Sequence, residues 1–340
     1  AKRFKEHMVW RSPEQVKIPF FFRNGHLQSI FPSVFRRVKL KPDRTQRVET
    51  PDEDFVDVDW YGDDANHRSV KKLLIISHGL EGHSRRPYVQ GMARAAIQRG
   101  WAVAAWSFRG CSGEPNRNLV TYHSGHTDDL RLVIQNAIKL GYHSIALCGF
   151  SIGGNKTMLY LGREIAQKAP QVKAAVVLSV PFDLISTADK LALRSNRIYM
   201  RYFLTSFSEK FAQKAEAFPG QIDVSGFSKI RTFAEMDERY TAPLNGFASA
   251  LDYWEKSSSL PWLGEVNVPS LLISAKDDPF LTPECFPNDK SIDSDFLHFA
   301  YPQSGGHVGF MGVSNQPEYS GEYWSEQAAL NFLDTKMAVE

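Results

Sequence analysis

One serine in this chain has the surroundings of a catalytic nucleophile. Ser151 lies in the sequence GFSIG, residues 149–153, which fits the pattern G-x-S-x-G. An apolar run of strand length, residues 145–148, precedes it, and the apolar face of a helix follows from Met158. The flanking glycines suit a strained strand-to-helix turn, because a Cβ there would collide with the adjoining chain. The bare pattern also occurs by chance, so the strand before it and the helix after it are what favour a nucleophile.

A serine hydroxyl attacks a carbonyl only with a base of pKa about 7 and a group that orients this base. His307 is the candidate base and Asp278 the candidate acid, since each follows an apolar segment typical of a late strand. We prefer Asp278 to Asp277 because it directly precedes Pro279, where the loop turns, whereas Asp277 is better suited to cap the loop. Asp183, after the preceding strand, is a further candidate.

Two backbone N–H groups are candidates to stabilise the oxyanion that such an attack creates. Leu80 lies in HGLEG, residues 78–82, a glycine-containing loop directly after a buried strand. Ile152 follows the serine at the start of a helix, where N–H groups are unpaired and the helix dipole favours negative charge. His78 is expected to hold the first loop by hydrogen bonds to nearby backbone.

Other chemistry has weaker support in the sequence. His123 and Asp128 have the H-x4-D spacing found in some acyltransferases. Two fixed positions are a weak signal, and capping of a helix by Ser124, Thr127 and Asp128 explains the same residues. The ten histidines include no H-E-x-x-H sequence and no Cys/His cluster, so we expect no metal and no cofactor.

The candidate residues need a scaffold that brings strand ends together. Apolar segments alternate with helical patterns along the chain, which predicts a mainly parallel sheet with right-handed crossovers. Alternating residues at 55–60, paired with 47–50, predict an antiparallel hairpin at the sheet edge. The serine follows a middle strand, the acid a later strand and the histidine the last strand, which is the chain order of α/β-hydrolases, and we therefore predict that fold. The predicted parallel strands comprise residues 73–77, 101–106, 145–148, 173–180, 269–275 and 296–300.

Residues 183–264 interrupt this alternation and show only helical patterns, which predicts a helical cap inserted into the core. The core then comprises residues 46–182 and 265–340. Aromatic residues at helical spacing usually pack in a hydrophobic core. A cap over a cleft must also have some apolar residues that contact the substrate. The aromatic and apolar residues at helical spacing are Tyr199, Tyr202, Phe203, Phe207 and Phe211, with a second face through Phe247, Leu251, Tyr253 and Trp254.

Residues 1–45 form an N-terminal arm that is both basic and aromatic. As far as Lys41 it has ten Lys or Arg and two acidic residues, a local charge of +8. Such an arm could rest on an anionic membrane surface. We favour packing of its aromatic residues on the core, because Pro19 and Pro32 are expected to break a continuous amphipathic helix. The sequence NGHLQ, residues 24–28, predicts a turn into a short helix, and its polar residues either face a cleft or cap that helix.

The composition of the whole chain limits the remaining possibilities. A length of 340 residues suits one α/β domain with an insertion, and a net charge of +2 gives no case for nucleic-acid binding. No segment approaches the roughly 18 apolar residues of a transmembrane helix, and the first residues do not resemble a signal peptide, so we expect a cytoplasmic protein. The three cysteines are odd in number and far apart, which predicts reduced thiols. The oligomeric state stays open.

Six motifs together resemble those of the bacterial YheT-type esterases of the AB hydrolase 4 family. They extend from about residue 20 to the end of the chain: NGHLQ (24–28), HGLEG (78–82), FRGCSGEPN (108–116), GFSIGGN (149–155), AKDDPF (275–280) and GGHVGF (305–310). The resemblance implies an α/β-hydrolase fold and hydrolysis of carboxylic esters. Relatives that act on medium-chain esters and on lipids imply acyl groups of short to medium length.

This chain departs from the family pattern in small ways. Ile152 stands where many members have leucine, and Ser29 where threonine is usual; neither change touches the expected chemistry. Some animal relatives have a membrane anchor; we expect none in this sequence, so the resemblance does not imply membrane attachment.

The leading hypothesis is a serine esterase that acts on a small-molecule acyl ester through an acyl-enzyme. An alcohol acyltransferase would form the same intermediate and differ only in that an alcohol attacks it instead of water. A binding protein on the same scaffold, without activity, is a third hypothesis. We disfavour it because no member of the Ser151, Asp278 and His307 set is altered.

Overall fold

A computed structural model of the chain describes residues 18, 23–69, 71–312 and 323–338. Within these residues, one sheet contains eight strands: β1 Arg44–Glu49, β2 Phe55–Tyr61, β3 Lys72–Ser77, β4 Ala102–Ser107, β5 Ser144–Phe150, β6 Val172–Leu178, β7 Ser270–Ile273 and β8 Leu297–Ala300. Their order across the sheet is β1-β2-β4-β3-β5-β6-β7-β8. β3 to β8 pair in parallel, while β2 runs antiparallel to both β1 and β4. The predicted mainly parallel sheet with an edge hairpin is confirmed.

The burial of each strand follows from its place in the sheet. Every residue of the central strands β4 and β7 is buried, because helices cover both faces of a parallel sheet. The edge strand β1 instead has Arg44, Gln46 and Val48 more buried than the residues between them. These patterns explain why apolar runs predicted the central strands and alternation predicted the hairpin.

Helices on the two faces of the sheet build two hydrophobic cores. One core contains residues of α2 (Pro87–Gln98) and α10 (Trp324–Lys336), and the other contains residues of α3 (Asp128–Lys139) and α4 (Ile152–Leu161). Pro87 is the first residue of α2, where its fixed φ suits a helix and its missing N–H costs nothing. The sequence predicts a last helix from about Gly321 to Met337; Gly321 lies outside the described residues, and α10 begins at Trp324.

Further helices follow β6 and precede β7. They are α5 Leu184–Ala192, α6 Arg197–Ala217, α7 Phe233–Met236, α8 Ala242–Leu244 and α9 Ala250–Ser257, with a π-helical turn at Asp237–Thr241. Residues 183–264 are all described and contain no strand. On α6, Phe203, Phe207 and Phe211 are buried, whereas Tyr202 is half exposed. The division of the chain into arm, core and cap stays a prediction.

Two predicted features are wrong at Ser179 and Pro32. β6 ends at Leu178 and not at residue 180, because Ser179 has a φ of +52° and its hydroxyl accepts a hydrogen bond from Val308 N–H at 3.1 Å. Helix α1, Gly25–Phe35, continues through Pro32. Pro32 has no N–H to donate to the carbonyl of Gln28, and Gly309 packs against that carbonyl, since a Cβ on Gly309 would lie 1.9 Å from its oxygen.

Helix α3 begins without the predicted cap. Thr127 occupies the N-cap position, but its hydroxyl donates to Glu164, which follows the end of α4, and accepts no N–H of its own helix. Asp128 and Asp129 supply negative charge to the first turn, which stabilises the helix dipole in another way.

Part of the N-terminal arm, including Trp10, Pro19 and Phe20 to Phe22, lies outside the described residues. Across the part of the chain that the structure describes, every helix is too short or too polar to cross a membrane.

Candidate active site

Ser151 occupies a strained turn between β5 and α4. Its φ of +52° and ψ of −122° lie in a region that L-residues rarely adopt. Close packing around the turn leaves no room for side chains at its glycines: a Cβ on Gly149 would lie 2.5 Å from Gly154 Cα, and one on Gly153 would lie 2.4 Å from His78 O. The predicted strand, turn and helix around the serine are therefore present, and the glycines are required by close approach.

Three predicted side chains come together at this turn. Ser151 Oγ lies 3.0 Å from His307 Nε2, and His307 Nδ1 lies 2.8 Å from Asp278 Oδ2. All three residues are buried, and the Asp278 side chain is fully so. With the proton on Nδ1 facing the carboxylate, Nε2 is free to accept the serine proton, which is the arrangement that a general base requires.

The three candidate aspartates, Asp278, Asp277 and Asp183, form different hydrogen bonds. Asp278 also accepts the N–H of Phe280 at 2.8 Å, which fixes the orientation of its carboxylate. Asp277 Oδ1 accepts the N–H groups of Gly305 and Gly306, each at 2.9 Å, and so caps the loop that leads to His307. Asp183 caps α5 through Ser186 N–H at 2.7 Å. Of the three candidates, the structure brings only Asp278 to the histidine.

His307 is held by contacts from distant parts of the chain. Its backbone N–H donates to Ser29 Oγ at 2.7 Å, and its ring stacks on Phe280 with a centroid separation of 4.1 Å. Asn24 caps α1 by accepting the N–H groups of residues 26 and 27. At the same point a Cβ on Gly25 would lie 1.9 Å from Asp277 O. The start of α1 therefore packs directly on both loops that carry the acid and the base.

The candidate oxyanion donors, the N–H groups of Leu80 and Ile152, belong to the loop after β3 and to the first residue of α4. Leu80 lines both of the cavities that Ser151 lines, and Ile152 lines one of them. A Cβ on Gly79 would lie 3.3 Å from Ser151 Cβ, so the loop after β3 passes close to the serine. Among the described residues, neither backbone N–H has a hydrogen-bond acceptor. Both are thus available to a developing negative charge.

His78 fixes the start of that loop, as expected from the sequence. It is fully buried, its Nε2 accepts the N–H of Phe108 at 3.0 Å, and its Nδ1 lies 2.7 Å from Gly79 O. Burial lowers its pKa well below the ordinary value, so the ring is neutral and its two nitrogens act as one acceptor and one donor. His78 is a structural residue and does not face Ser151.

Two cavities meet at Ser151. We call them the inner chamber, under helices α5, α6, α7 and α9, and the outer groove, between α1 and the loop after β3. They hold about 740 and 1330 Å³ of empty space, part of it open to solvent. Apolar side chains dominate the inner chamber: Leu184, Ala188, Leu191, Phe203, Phe207, Phe233, Met236, Tyr253 and Trp254. The outer groove is lined by Pro32, Val34, Arg36, Arg86, Tyr88, Ile198, Tyr199 and Tyr202.

Asp237 is the one acidic residue among the described residues that line the inner chamber. It begins the π-helical turn, and its Oδ2 accepts Trp254 Nε1–H at 2.9 Å. Burial raises the pKa of this carboxyl to about 6. His123 also lines the chamber, and burial lowers its pKa well below the usual value, so it is neutral.

The H-x4-D residues are not brought together. His123 Nδ1 accepts Gly125 N–H at 3.2 Å, while Asp128 pairs with Arg131 at 3.0 Å on the surface. No cluster of three or more His, Cys, Asp or Glu side chains suited to a metal is found in the described ranges. Cys111, Cys148 and Cys285 are buried free thiols.

Comparison with known proteins identifies the family. A family model described as "alpha/beta hydrolase fold" matches residues 72–305. The chain belongs to the α/β-hydrolase family. The predicted α/β-hydrolase fold is confirmed by this match and by the sheet described above.

Two individual relatives are similar to this chain in sequence. "Putative esterase YheT" from Escherichia coli (strain K12) is 39% identical over 295 residues, which cover 86% of this chain and 85% of the relative. "Phospholipase ABHD3" from Homo sapiens is 27% identical over 79% of this chain and 66% of that protein. The predicted resemblance to YheT-type esterases is confirmed, and the names of both relatives agree with the predicted class of carboxylic ester hydrolase.

A solved α/β-hydrolase structure supports the fold alone. The esterase Pf2001 from Pyrococcus furiosus has a TM-score of 0.56 and 16% identity, and the match covers 96% of this chain and 100% of that one.

Sequence reasoning left several supporting residues unassigned. Ser29 stands out in the sequence only as a departure from the family pattern. Of the two alternatives for residues 24–28, the structure shows the cap by Asn24; His26 Nδ1 lies 3.1 Å from Tyr199 Oη on α6, and none of these five residues lines either cavity. From the sequence, Glu81 was also assigned no role. Its position could have indicated one, because a charged side chain is unusual inside a glycine-containing loop after a buried strand. Asn155, beside the serine turn, was also missed. Its amide bonds Ser124 O, Ser257 O and Ser259 N–H and ties α4 to the end of α9.

Proposed function

We propose that this protein is a serine esterase that hydrolyses carboxylic esters of short- to medium-chain acyl groups through an acyl-enzyme on Ser151. The observation that carries the proposal is the unbroken hydrogen-bonded line from Asp278 through His307 to Ser151, which ends at the floor of the two cavities. Similarity to proteins named esterase and phospholipase supports the same class of reaction.

Acylation would begin when Ser151 Oγ attacks the ester carbonyl and gives its proton to His307 Nε2. Asp278 stabilises the imidazolium through the Nδ1–H bond, and the N–H groups of Leu80 and Ile152 stabilise the oxyanion. As the tetrahedral intermediate collapses, the C–O bond to the alcohol breaks and the alcohol takes the proton from Nε2.

Deacylation repeats these steps with water. His307 accepts a proton from the water molecule, whose oxygen attacks the acyl carbon. The second tetrahedral intermediate expels Ser151 Oγ, which recovers its proton from His307, and the carboxylic acid leaves. No group other than the residues named is needed for the atoms and protons to balance.

The inner chamber suits the acyl group and the helices above it suit a cap. Its lining is largely aliphatic and aromatic, which favours burial of an alkyl chain, and residues 183–264 supply most of that lining. We therefore assign residues 183–264 as a helical cap on a core of residues 46–182 and 265–340, with residues 1–45 as the arm.

A series of p-nitrophenyl esters from acetate to decanoate tests this proposal. We expect release of p-nitrophenol that is greatest for a short- to medium-chain ester and is abolished in Ser151→Ala. Product analysis with ethanol present separates hydrolysis from transfer: free acid supports the esterase, whereas ethyl ester as the sole product would make the protein an alcohol acyltransferase. A folded wild-type protein that cleaves none of the esters would contradict the proposal.

A further inference from the structure

The residue after Leu80 has an unusual backbone conformation. Glu81 has a φ of +53°, in the left-handed region that favours glycine, and its side chain is only 1% exposed. A strained residue of this kind persists only when its surroundings determine its conformation, and such residues cluster at active sites. The surroundings of Glu81 therefore help to hold the loop that presents the Leu80 N–H, together with Gly79 O, which lies 2.7 Å from His78 Nδ1 and accepts the Gly82 N–H at 3.0 Å.

The Tyr122 hydroxyl forms two hydrogen bonds with Glu81, one to its backbone and one to its side chain. Its hydroxyl accepts the Glu81 backbone N–H at 3.1 Å and donates to Glu81 Oε1 at 2.5 Å. Burial and the neighbouring carboxylate raise the pKa of Tyr122 well above its usual value, so the hydroxyl keeps the proton that it donates. Arg86 Nη2 donates to the Glu81 carbonyl at 3.1 Å. The backbone and the side chain of Glu81 are thus fixed together.

Helix α6 provides the remaining contacts of the carboxylate. Lys210 Nζ lies 2.9 Å from Glu81 Oε1, and Ser206 Oγ donates to Oε2. The same helix carries Phe203 and Phe207 into the inner chamber. One buried carboxylate therefore joins the loop of an oxyanion donor to the helix that covers the chamber.

We propose that Glu81 is a positioning residue, whose carboxylate orients the Leu80 N–H toward the oxyanion and makes this orientation depend on the docking of α6. The inference rests on the proposed esterase function. Glu81 acts through Leu80 and takes no part in bond making or proton transfer. When α6 docks, the chamber is covered and the oxyanion site is completed in one event.

Two substitutions separate the carboxylate from the backbone. Glu81→Gly removes the carboxylate but tolerates the positive φ, so it tests whether conformation alone suffices. Glu81→Gln keeps the shape and can still accept the Tyr122 hydroxyl, and it serves as the conservative rescue. Asp63→Ala is the matched control, because Asp63 is a carboxylate of equal burial that binds Tyr142 Oη at 2.7 Å and Arg68 at 2.6 Å, in the loop after β2.

The readouts are kcat and KM for p-nitrophenyl butyrate and the inhibition constant of butylboronic acid, which forms a tetrahedral adduct with the serine. We expect Glu81→Gly to lower kcat about 100-fold, to leave KM within about threefold, and to weaken the boronic acid by the same factor as kcat/KM. Glu81→Gln should recover most of this loss. Asp63→Ala should be less stable to heat with unchanged kcat.

A fourth variant, Lys210→Met, tests the link between Glu81 and helix α6. Lys210 does not line either cavity, yet Lys210→Met should lower kcat and weaken the boronic acid in parallel, since it leaves the buried carboxylate without its cation. Should Glu81→Gly and Lys210→Met behave like Asp63→Ala, with lower stability but unchanged kcat and boronic acid inhibition, the inference is overturned and the esterase proposal stands. Absence of turnover in the wild-type protein would instead remove the esterase proposal and this inference with it.

Discussion

Ser29 and His307 are 278 positions apart in the chain, yet the backbone N–H of His307 donates a hydrogen bond to Ser29 Oγ at 2.7 Å. The same hydroxyl donates to Gly25 O at 2.6 Å within α1. Helix α1, from the N-terminal region, thus holds the loop that carries the candidate base. The geometry of the site depends on an element outside the predicted core.

Removal of the Ser29 hydroxyl should disturb His307 without touching its ring. Ser29→Ala leaves a buried N–H without an acceptor, so we expect the free energy of unfolding to fall by about 1–3 kcal/mol. The looser histidine should lower kcat by about 10-fold. Ser29→Thr keeps the oxygen and is the control. Chemical denaturation and ester kinetics measure both effects, and a Ser29→Ala protein with wild-type kcat would show that the contact does not position the base.

The two adjacent aspartates should differ sharply when each becomes asparagine. In Asp278→Asn, the amide cannot stabilise the imidazolium and can force the wrong histidine tautomer, so kcat should fall by about 10⁴-fold. In Asp277→Asn, the amide oxygen can still accept the N–H groups of Gly305 and Gly306, so we expect a loss below about 10-fold. Ester kinetics on the two purified variants decides between them. Equal losses would contradict the assignment of the acid.

The buried carboxyl of the inner chamber predicts a pH dependence of stability. The pKa of Asp237 is raised from 3.8 to about 6 in the folded protein, so the folded state binds this proton more tightly than the unfolded state. The stability that the protonated carboxyl contributes is complete below about pH 4 and is lost as the pH rises through about 6. The loss should reach about 3 kcal/mol relative to Asp237→Asn, which cannot titrate.

Denaturation of the wild-type protein and of Asp237→Asn from about pH 4 to about pH 7 measures this difference. The gap between the two unfolding free energies should move in favour of the variant as the pH rises. A gap that stays constant with pH would mean that Asp237 has an ordinary pKa in the folded chain.

Local patterns in the sequence predicted the sheet and the three central residues. Ser151, Asp278 and His307 each follow a strand, and strand ends of a parallel sheet meet at one edge, so their convergence followed from chain order alone. The sequence also predicted the tight turn at Ser151, because glycines are needed where neighbouring backbone approaches too closely for a Cβ.

The contacts that hold the site in place could not be predicted from the sequence, since they join segments that are far apart in the chain and share no local pattern. Ser29 binds His307 and Glu81 binds Lys210, and each pair joins two different elements. The sequence around Ser29 or Glu81 contains no pattern that predicts these partners. Pro32 and Thr127 were misread for a related reason, since each has a tertiary contact nearby that its local sequence does not show: Gly309 packs against the Gln28 carbonyl, and Glu164 accepts the Thr127 hydroxyl. Propensity is a weak guide where tertiary contacts compete with it.

The central claim, that Ser151 is an activated nucleophile, is tested most directly by a fluorophosphonate probe followed by mass spectrometry of the peptides. We predict one adduct on the peptide that contains Ser151, no adduct in Ser151→Ala, and much slower labelling in His307→Asn. A folded wild-type protein that stays unlabelled, or one that is labelled equally well after Ser151→Ala, would contradict the account.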